Sequence, residues 1–152
     1  MKRIASAALT TFALTAATVV GMTGSASAAT GPSCSDAYQI GSTGYITVDG
    51  ATAASVKQYY SPSCNKNYGY VYVWQSFRSA HAHWFVSASV STTSDHISHA
   101  SQGDWDVTEI WSGAASTVGV CTAGYGFLDV TNSSGSSSDG DHQGTGQSST
   151  RC

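Results

Sequence analysis

The sequence predicts an all-β fold, a small disulfide-stapled antiparallel β-sandwich or barrel. Three observations predict it. Helix formers are scarce: beyond residue 28 there is one glutamate, Glu109, and one leucine, Leu128. Tyr, Val, Thr, Trp and Phe, which fit a pleated and half-buried surface, are plentiful and fall in short alternating runs between Gly, Ser, Asn and Asp clusters. Four cysteines, an even number, all lie beyond residue 28, which suits a disulfide framework in an oxidising compartment.

In chain order, residues 1–28 read as an export signal. Lys2 and Arg3 give a positive start, an apolar Ala- and Thr-rich run follows from Ile4 to about Met22, and Ala26-Ser27-Ala28 is the small–x–small pattern that a signal peptidase accepts. The small residues at 24–29 favour cleavage over a membrane anchor, and no second apolar run of about 20 residues follows. The expected mature chain is 29–152, with a β domain over 29–130 and a flexible Ser/Gly-rich tail over 131–152.

Strands are expected at Tyr45–Asp49 and Ala54–Tyr60, with Asp49-Gly50 and Ser61-Pro62 as turns around the second. Tyr68–Arg78 is bulky on both parities and reads as a central strand. Arg78–His81 would be a hairpin turn into a half-buried strand from His83 to Ser91, where Trp84, Val86, Ala88 and Val90 alternate with serines. Ser91–Gly103 is polar and reads as a loop. Val107–Trp111, Ser116–Thr122 and Phe127–Val130 complete a set of about seven strands, for which a sandwich or barrel is the economical packing.

The cysteines Cys34, Cys64, Cys121 and Cys152 allow three pairings. Cys34–Cys64 with Cys121–Cys152 is favoured because each closes a loop of about 30 residues, and the chain-entropy estimate gives each roughly 3–4 kcal/mol. The second bridge would pin the tail back onto the domain. No C-x-x-C pair supports a cysteine zinc site.

Composition excludes several functions. The expected mature chain keeps Lys57, Lys66, Arg78 and Arg151 against nine acids, a net charge of −5. Phosphate neutralisation needs clustered Lys and Arg, so neither nucleic acid nor an anionic membrane is an expected partner. The size suits one domain and a monomer.

Candidate chemistry rests on three groups. His81 and His83 form an H-x-H pair that would share one face of a strand, and His96 and His99 follow beside Asp95. Were the two pairs to meet, imidazoles and a carboxylate could bind zinc or copper; the bland alternative is solvated surface histidines. Asp104, Asp106 and Glu109 surround Trp105 and Trp111, residue types found together in sugar-binding grooves and in glycosidases. The alternative is a charged turn entering a strand whose tryptophans are core. The third group is aromatic: Tyr59, Tyr60, Tyr68, Tyr70, Tyr72 and Trp74 crowd a short span. Tyrosines on an exposed sheet face make good binding surfaces, and they equally serve cross-strand packing. Tyr60, Tyr70, Tyr72 and Trp74, with Asn65 in the intervening loop, are the candidate binding residues. No G-x-S-x-G, GxGxxG or P-loop pattern is present, so no catalytic residue and no cofactor are expected.

Three local features resemble small secreted actinobacterial proteins of the spore-associated type. They are Cys34-Ser-Asp-Ala-Tyr38, Tyr60-Ser-Pro-Ser-Cys64 ahead of the β-rich Tyr68–Phe77 run, and Gly119-Val-Cys121-Thr-Ala-Gly-Tyr125. The export signal looks like those of Streptomyces, and the Y-S-P-S-C segment also resembles a second secreted actinobacterial family without assigned function. The match spans roughly 34–126; the His-rich stretch at 95–106 and the long tail depart from it. A weaker similarity is to the secreted Streptomyces α-amylase inhibitors, four-cysteine β-sandwiches paired in sequence order. Their Trp-Arg-Tyr triplet is absent here, and Trp74-Gln-Ser-Phe-Arg78 does not replace it. These resemblances imply a non-catalytic extracellular or surface-associated binding protein with a protein or cell-surface partner. The alternatives are a secreted inhibitor of a protease or glycosidase, for which the Ser61–Tyr68 loop beside Cys64 is the best candidate, and a histidine-based metal-binding protein or small metalloenzyme.

Overall fold

The computed structural model describes residues 31–94, 98–130 and 142–152; the export signal at 1–28 and His96 lie outside them. Eight strands and one short helix follow in order: β1 (Tyr38–Val48), β2 (Ala51–Ser61), β3 (Lys66–Val73), α1 (Gln75–Ala80), β4 (Trp84–Thr92), β5 (Ser98–Trp105), β6 (Glu109–Trp111), β7 (Thr122–Val130) and β8 (Gln143–Gln147). They form two four-stranded sheets, ordered β1-β2-β3-β6 and β5-β4-β7-β8, and every pairing is antiparallel. The all-β sandwich expected from the sequence is the fold.

The core lies between the sheets. Ala54, Val56, Val71 and Val73 from the first face Val86, Ala88 and Leu128 from the second, and all are essentially inaccessible. The alternation in β4 and β7 puts their apolar parity here, as a two-residue period requires. Both disulfides form as expected, Cys34–Cys64 and Cys121–Cys152. They fit an oxidising environment. Among the described residues no helix is long and apolar enough to cross a membrane.

Four local expectations are corrected. The strand expected over Tyr68–Arg78 stops at Val73, and Gln75–Ala80 is helical where Arg78–His81 was expected to be a hairpin turn. The helix buries Phe77, whose ring stacks on His81 four residues later at 4.1 Å, a helical spacing hidden inside an apparent alternation. The polar stretch after Ser91 is not all loop: Ser98–Trp105 pairs with β4 as an edge strand, and an edge strand needs no apolar stripe. Ser116–Thr122 is a turn, not a strand, apart from Thr122 itself. Within the expected flexible tail, Gln143–Gln147 pairs with β7, and Cys152 closes the last bridge.

Glycine sets the spacing of the sheets. A Cβ on Gly124 would lie 2.3 Å from the Lys57 carbonyl oxygen, and one on Gly69 would lie 2.1 Å from that of Ser89. On the β1/β8 side the same device brings two edges into contact: a Cβ on Gly144 or Gly146 would meet the Thr47 or Tyr45 oxygen at 2.3 and 2.4 Å. The His142 ring nitrogen Nδ1 lies 2.9 Å from Asp49 Oδ2, tying β8 to the β1–β2 turn. This side of the sandwich is closed by backbone against backbone. On the β5/β6 side the sheets meet at one end, where the Gly113 amide donates to the Ala100 carbonyl at 2.7 Å, and beyond it the edges part.

Candidate functional site

The outer face of the first sheet is aromatic. Cross-strand register puts Tyr45, Ser55, Tyr72 and Glu109 in one row, with Lys57, Tyr70 and Trp111 in the next and Tyr59 and Tyr68 beyond. Tyr59 and Tyr70 pack on Trp111 with ring centroids at 4.7 and 4.6 Å. Trp74, just past the end of β3, packs edge-to-face on Tyr45 at 5.8 Å. The expected binding residues Tyr70, Tyr72 and Trp74 therefore share a face with Tyr45, Tyr59 and Trp111, and all six keep part of their surface in water. Trp111 is not core, as its place beside a charged turn suggested it could be. Trp105 is not core either: it is 44% exposed on the outside of the second sheet, against Phe85.

The candidate binding residues Tyr60 and Asn65 stand apart from this face. Tyr60 pairs with Tyr38 and Asn67 and takes the parity of buried Gln58, so it lies on the opposite side of the sheet from Tyr59. Its hydroxyl donates to Asn65 Oδ1 at 3.0 Å. It lines a separate hollow of about 190 Å³ beside Val118, Val120 and Arg151.

Glu109 anchors the aromatic face. Tyr70 donates its phenolic hydrogen to Glu109 Oε2 at 2.6 Å. Burial, reinforced by this carboxylate, raises the Tyr70 phenol well above the usual tyrosine range. Tyr59 is raised too, by burial first and then by the Glu109 charge. Both phenols are held neutral, which suits an apolar contact surface. Tyr68 is covered, although its register puts it on the same side: the N-terminal segment lies over it, with Ser33 Oγ 3.2 Å from its hydroxyl, and the hydroxyl donates weakly to Cys34 Sγ at 3.1 Å.

Where β5 and β6 fail to meet, the open side holds a cleft of about 370 Å³. Trp111, Glu109, Gln102, Asp104 and Tyr68 contribute to its lining, together with residues 31–33. Of the three acids singled out in the sequence, Asp104 and Glu109 reach this cleft. Asp106 does not line it; it receives the Trp84 amide at 2.8 Å and pairs with His83 at 3.0 Å.

The histidines do not converge among the described residues. His81 sits at the end of α1, with Nδ1 3.0 Å from the Phe77 carbonyl, and His83 is engaged by Asp106. His99 pairs with Val90, six residues further along β4 than Trp84, roughly 20 Å away by strand rise. No group of three or more potential metal ligands occurs among the described residues. The H-x-H spacing places both rings on one face only in a strand, and here a helix end intervenes.

The Ser61–Lys66 turn beside Cys64 is tied down by hydrogen bonds as well as by the disulfide. Ser61 donates to Asp36 Oδ1 at 2.5 Å and the Ser63 amide donates to Asp36 Oδ2 at 2.9 Å. These bonds, the Ser61 hydroxyl first, hold the Asp36 carboxyl below its ordinary pKa although it is exposed.

Comparison with family models, with curated proteins and with solved structures finds no match.

Proposed function

We propose that the chain is an exported, non-catalytic β protein that acts by binding at a cell or spore surface through the aromatic outer face of its first sheet. The observation that carries this reading is the continuity of Tyr45, Trp74, Tyr72, Tyr70, Trp111 and Tyr59 across four strands, half-exposed and on a rigid scaffold. Rings already packed on one another, as Tyr45 is on Trp74 and Tyr59 and Tyr70 are on Trp111, lose little rotamer freedom on contact, so a partner gains area at small entropic cost. The export signal, the two disulfides and the resemblance to spore-associated proteins support the location. Retention of labelled protein on washed cells of the exporting organism tests it: Tyr72→Ala with Trp74→Ala should release the protein, and undiminished retention would sink the reading.

A second reading, a secreted hydrolase inhibitor, is favoured by one observation. The 61–66 turn is locked by Cys34–Cys64 and by Asp36, and pre-organisation of that kind favours tight docking into a groove. Inhibition of a panel of secreted proteases and glycosidases, lost on Asp36→Ala, would promote it over the first; no inhibition would remove it.

A further inference from the structure

We infer that the cleft between β5 and β6 is a binding site for an uncharged or amine-bearing pyranose oligosaccharide. The inference rests on the reading of the chain as a binding protein and gives that protein a ligand class.

The cleft is a built feature. At one end the Gly113 amide donates to the Ala100 carbonyl at 2.7 Å, across the two sheets. Ala100 has a left-handed backbone, φ 53°, inside a bulge of β5, which turns its carbonyl toward β6. At the other end the chain crosses from β5 to β6, held by Asp106 N–H to the Trp84 carbonyl at 2.9 Å and Val73 N–H to the Thr108 carbonyl at 2.8 Å. The third wall, residues 31–33, is fixed by the Cys34–Cys64 bridge and by the Ser33–Tyr68 contact. The volume lies at the low end of the ~300–1,000 Å³ typical of small-ligand sites.

Its chemistry selects the ligand. Gln102 and Asp104 stand opposite Ala88 and Val86 in register, the parity that faces the gap between the sheets. The Gln102 side chain makes no hydrogen bond among the described residues, and the Asp104 carboxylate accepts one only from the amide of its neighbour Trp105, at 2.8 Å. Planar amide and carboxylate groups of this kind receive or bridge vicinal hydroxyls. Trp111 supplies an indole, on which the C–H face of a sugar ring can lie. The β5 and β6 walls are also edge strands of their sheets, and an edge strand presents backbone groups on its outer side. Among the described residues no lysine or arginine lines it, while Asp104 and Glu109 do. Acidic glycans and phosphates are therefore repelled and an amino sugar is favoured. An aliphatic ligand would leave Gln102 and Asp104 desolvated without partners.

The test is calorimetric titration of the disulfide-intact full-length exported protein with cellohexaose, with fully N-acetylated chitohexaose and with its deacetylated form. At least one should bind, and Gln102→Ala or Asp104→Ala should weaken it about tenfold, the effect expected for one lost hydrogen bond of this type. Tyr38→Ala, exposed on β1 and outside the cleft, should leave it unchanged. If the amine matters, Asp104→Asn weakens the deacetylated oligomer alone. Both cleft residues are exposed, so their variants keep the fold, and matching thermal melts verify it. Absence of binding by all three probes overturns the inference. So does binding that survives the Gln102→Ala/Asp104→Ala double variant, or binding only of an extended peptide added along the β5 edge. In each of those cases cell-surface retention that depends on Tyr72 would still stand, so the two readings fail separately.

Discussion

Replacing Gly124 by alanine should be among the costliest single changes outside the disulfides. Gly124 sits in β7 against the backbone of β2, and its added Cβ would lie 2.3 Å from the Lys57 carbonyl oxygen and 2.8 Å from its carbon. Ordinary contact requires the strands to separate by about 1 Å. Neither can move alone: β2 is bonded to β1 and β3, and β7 to β4 and β8. Overpacking commonly costs about 1–3 kcal/mol when side chains can adjust, and here the obstacle is backbone, so about 3 kcal/mol or more is expected. For a domain of this size that is roughly a 10 °C fall in melting temperature. Gly126, two residues on, is the control. Its Cβ would meet only side-chain tips, Val71 Cγ2 at 2.6 Å, Val56 Cγ2 at 3.0 Å and Ile46 Cδ1 at 3.1 Å. Those can rotate, so about 1 kcal/mol is expected. Neither glycine has positive φ, so backbone strain does not confound the pair. Urea unfolding followed by circular dichroism measures both. Gly124→Ala costing no more than Gly126→Ala would refute the claim that bare backbone sets the sheet spacing.

Removing the second bridge with Cys121→Ser and Cys152→Ser should cost roughly 3–4 kcal/mol, and hydrogen exchange should accelerate at Gln143–Gln147 ahead of β3. Tyr70 and Tyr59 have raised folded pKa values, so their contribution is complete below the unfolded value of about 10 and is lost as pH rises through the higher folded values; alkaline spectrophotometric titration should show two late tyrosinates, and Glu109→Ala should bring both down. Asp36 has a depressed folded pKa, so its contribution is present above the unfolded value of about 4 and disappears as pH falls through the folded one. Asp36→Asn should flatten the acid limb of the stability–pH curve, and an unchanged limb would show that the Ser61 and Ser63 bonds add nothing.

The parts of this fold that were legible are those where side chains report burial. Val71 and Val73, or Trp84, Val86, Ala88 and Val90, alternate because they line a core, and even spacing of cysteines pointed to the pairing found. β8 was invisible for the opposite reason. Its inward positions are Gly144 and Gly146, where β1 backbone leaves no room for a side chain, and its outward ones are Gln143, Thr145 and Gln147. A strand whose inner face is glycine has no hydrophobic period and resembles a linker. β5 was hidden because an edge strand facing a polar cleft is wet on both sides. Of the candidate site, the Tyr70–Tyr72–Trp74 stripe was readable from its two-residue spacing. The partnership of Tyr59, Trp111 and Glu109 was not, because it depends on β6 pairing with β3 across almost 40 residues of intervening chain.

The two sides of this sandwich are handled in contrasting ways. At β1 and β8, glycines bring the sheets to backbone contact, which protects those edges from pairing with another chain. At β5 and β6 the sheets touch only at one end, through the Gly113–Ala100 backbone bond; beyond it Gln102, Asp104 and Glu109 line the gap, flanked by a bulge, a crossover and a disulfide-held segment. An edge that served stability alone would be closed by the means already present on the other side. Keeping it open leaves the Gln102 side chain without a protein partner among the described residues, and Asp104 with only its neighbour's amide. Trp111 belongs both to that cleft and to the aromatic face, so the two surfaces meet at one side chain. Trp111→Ala should therefore impair surface retention and oligosaccharide binding together, whereas Gln102→Ala should affect oligosaccharide binding alone.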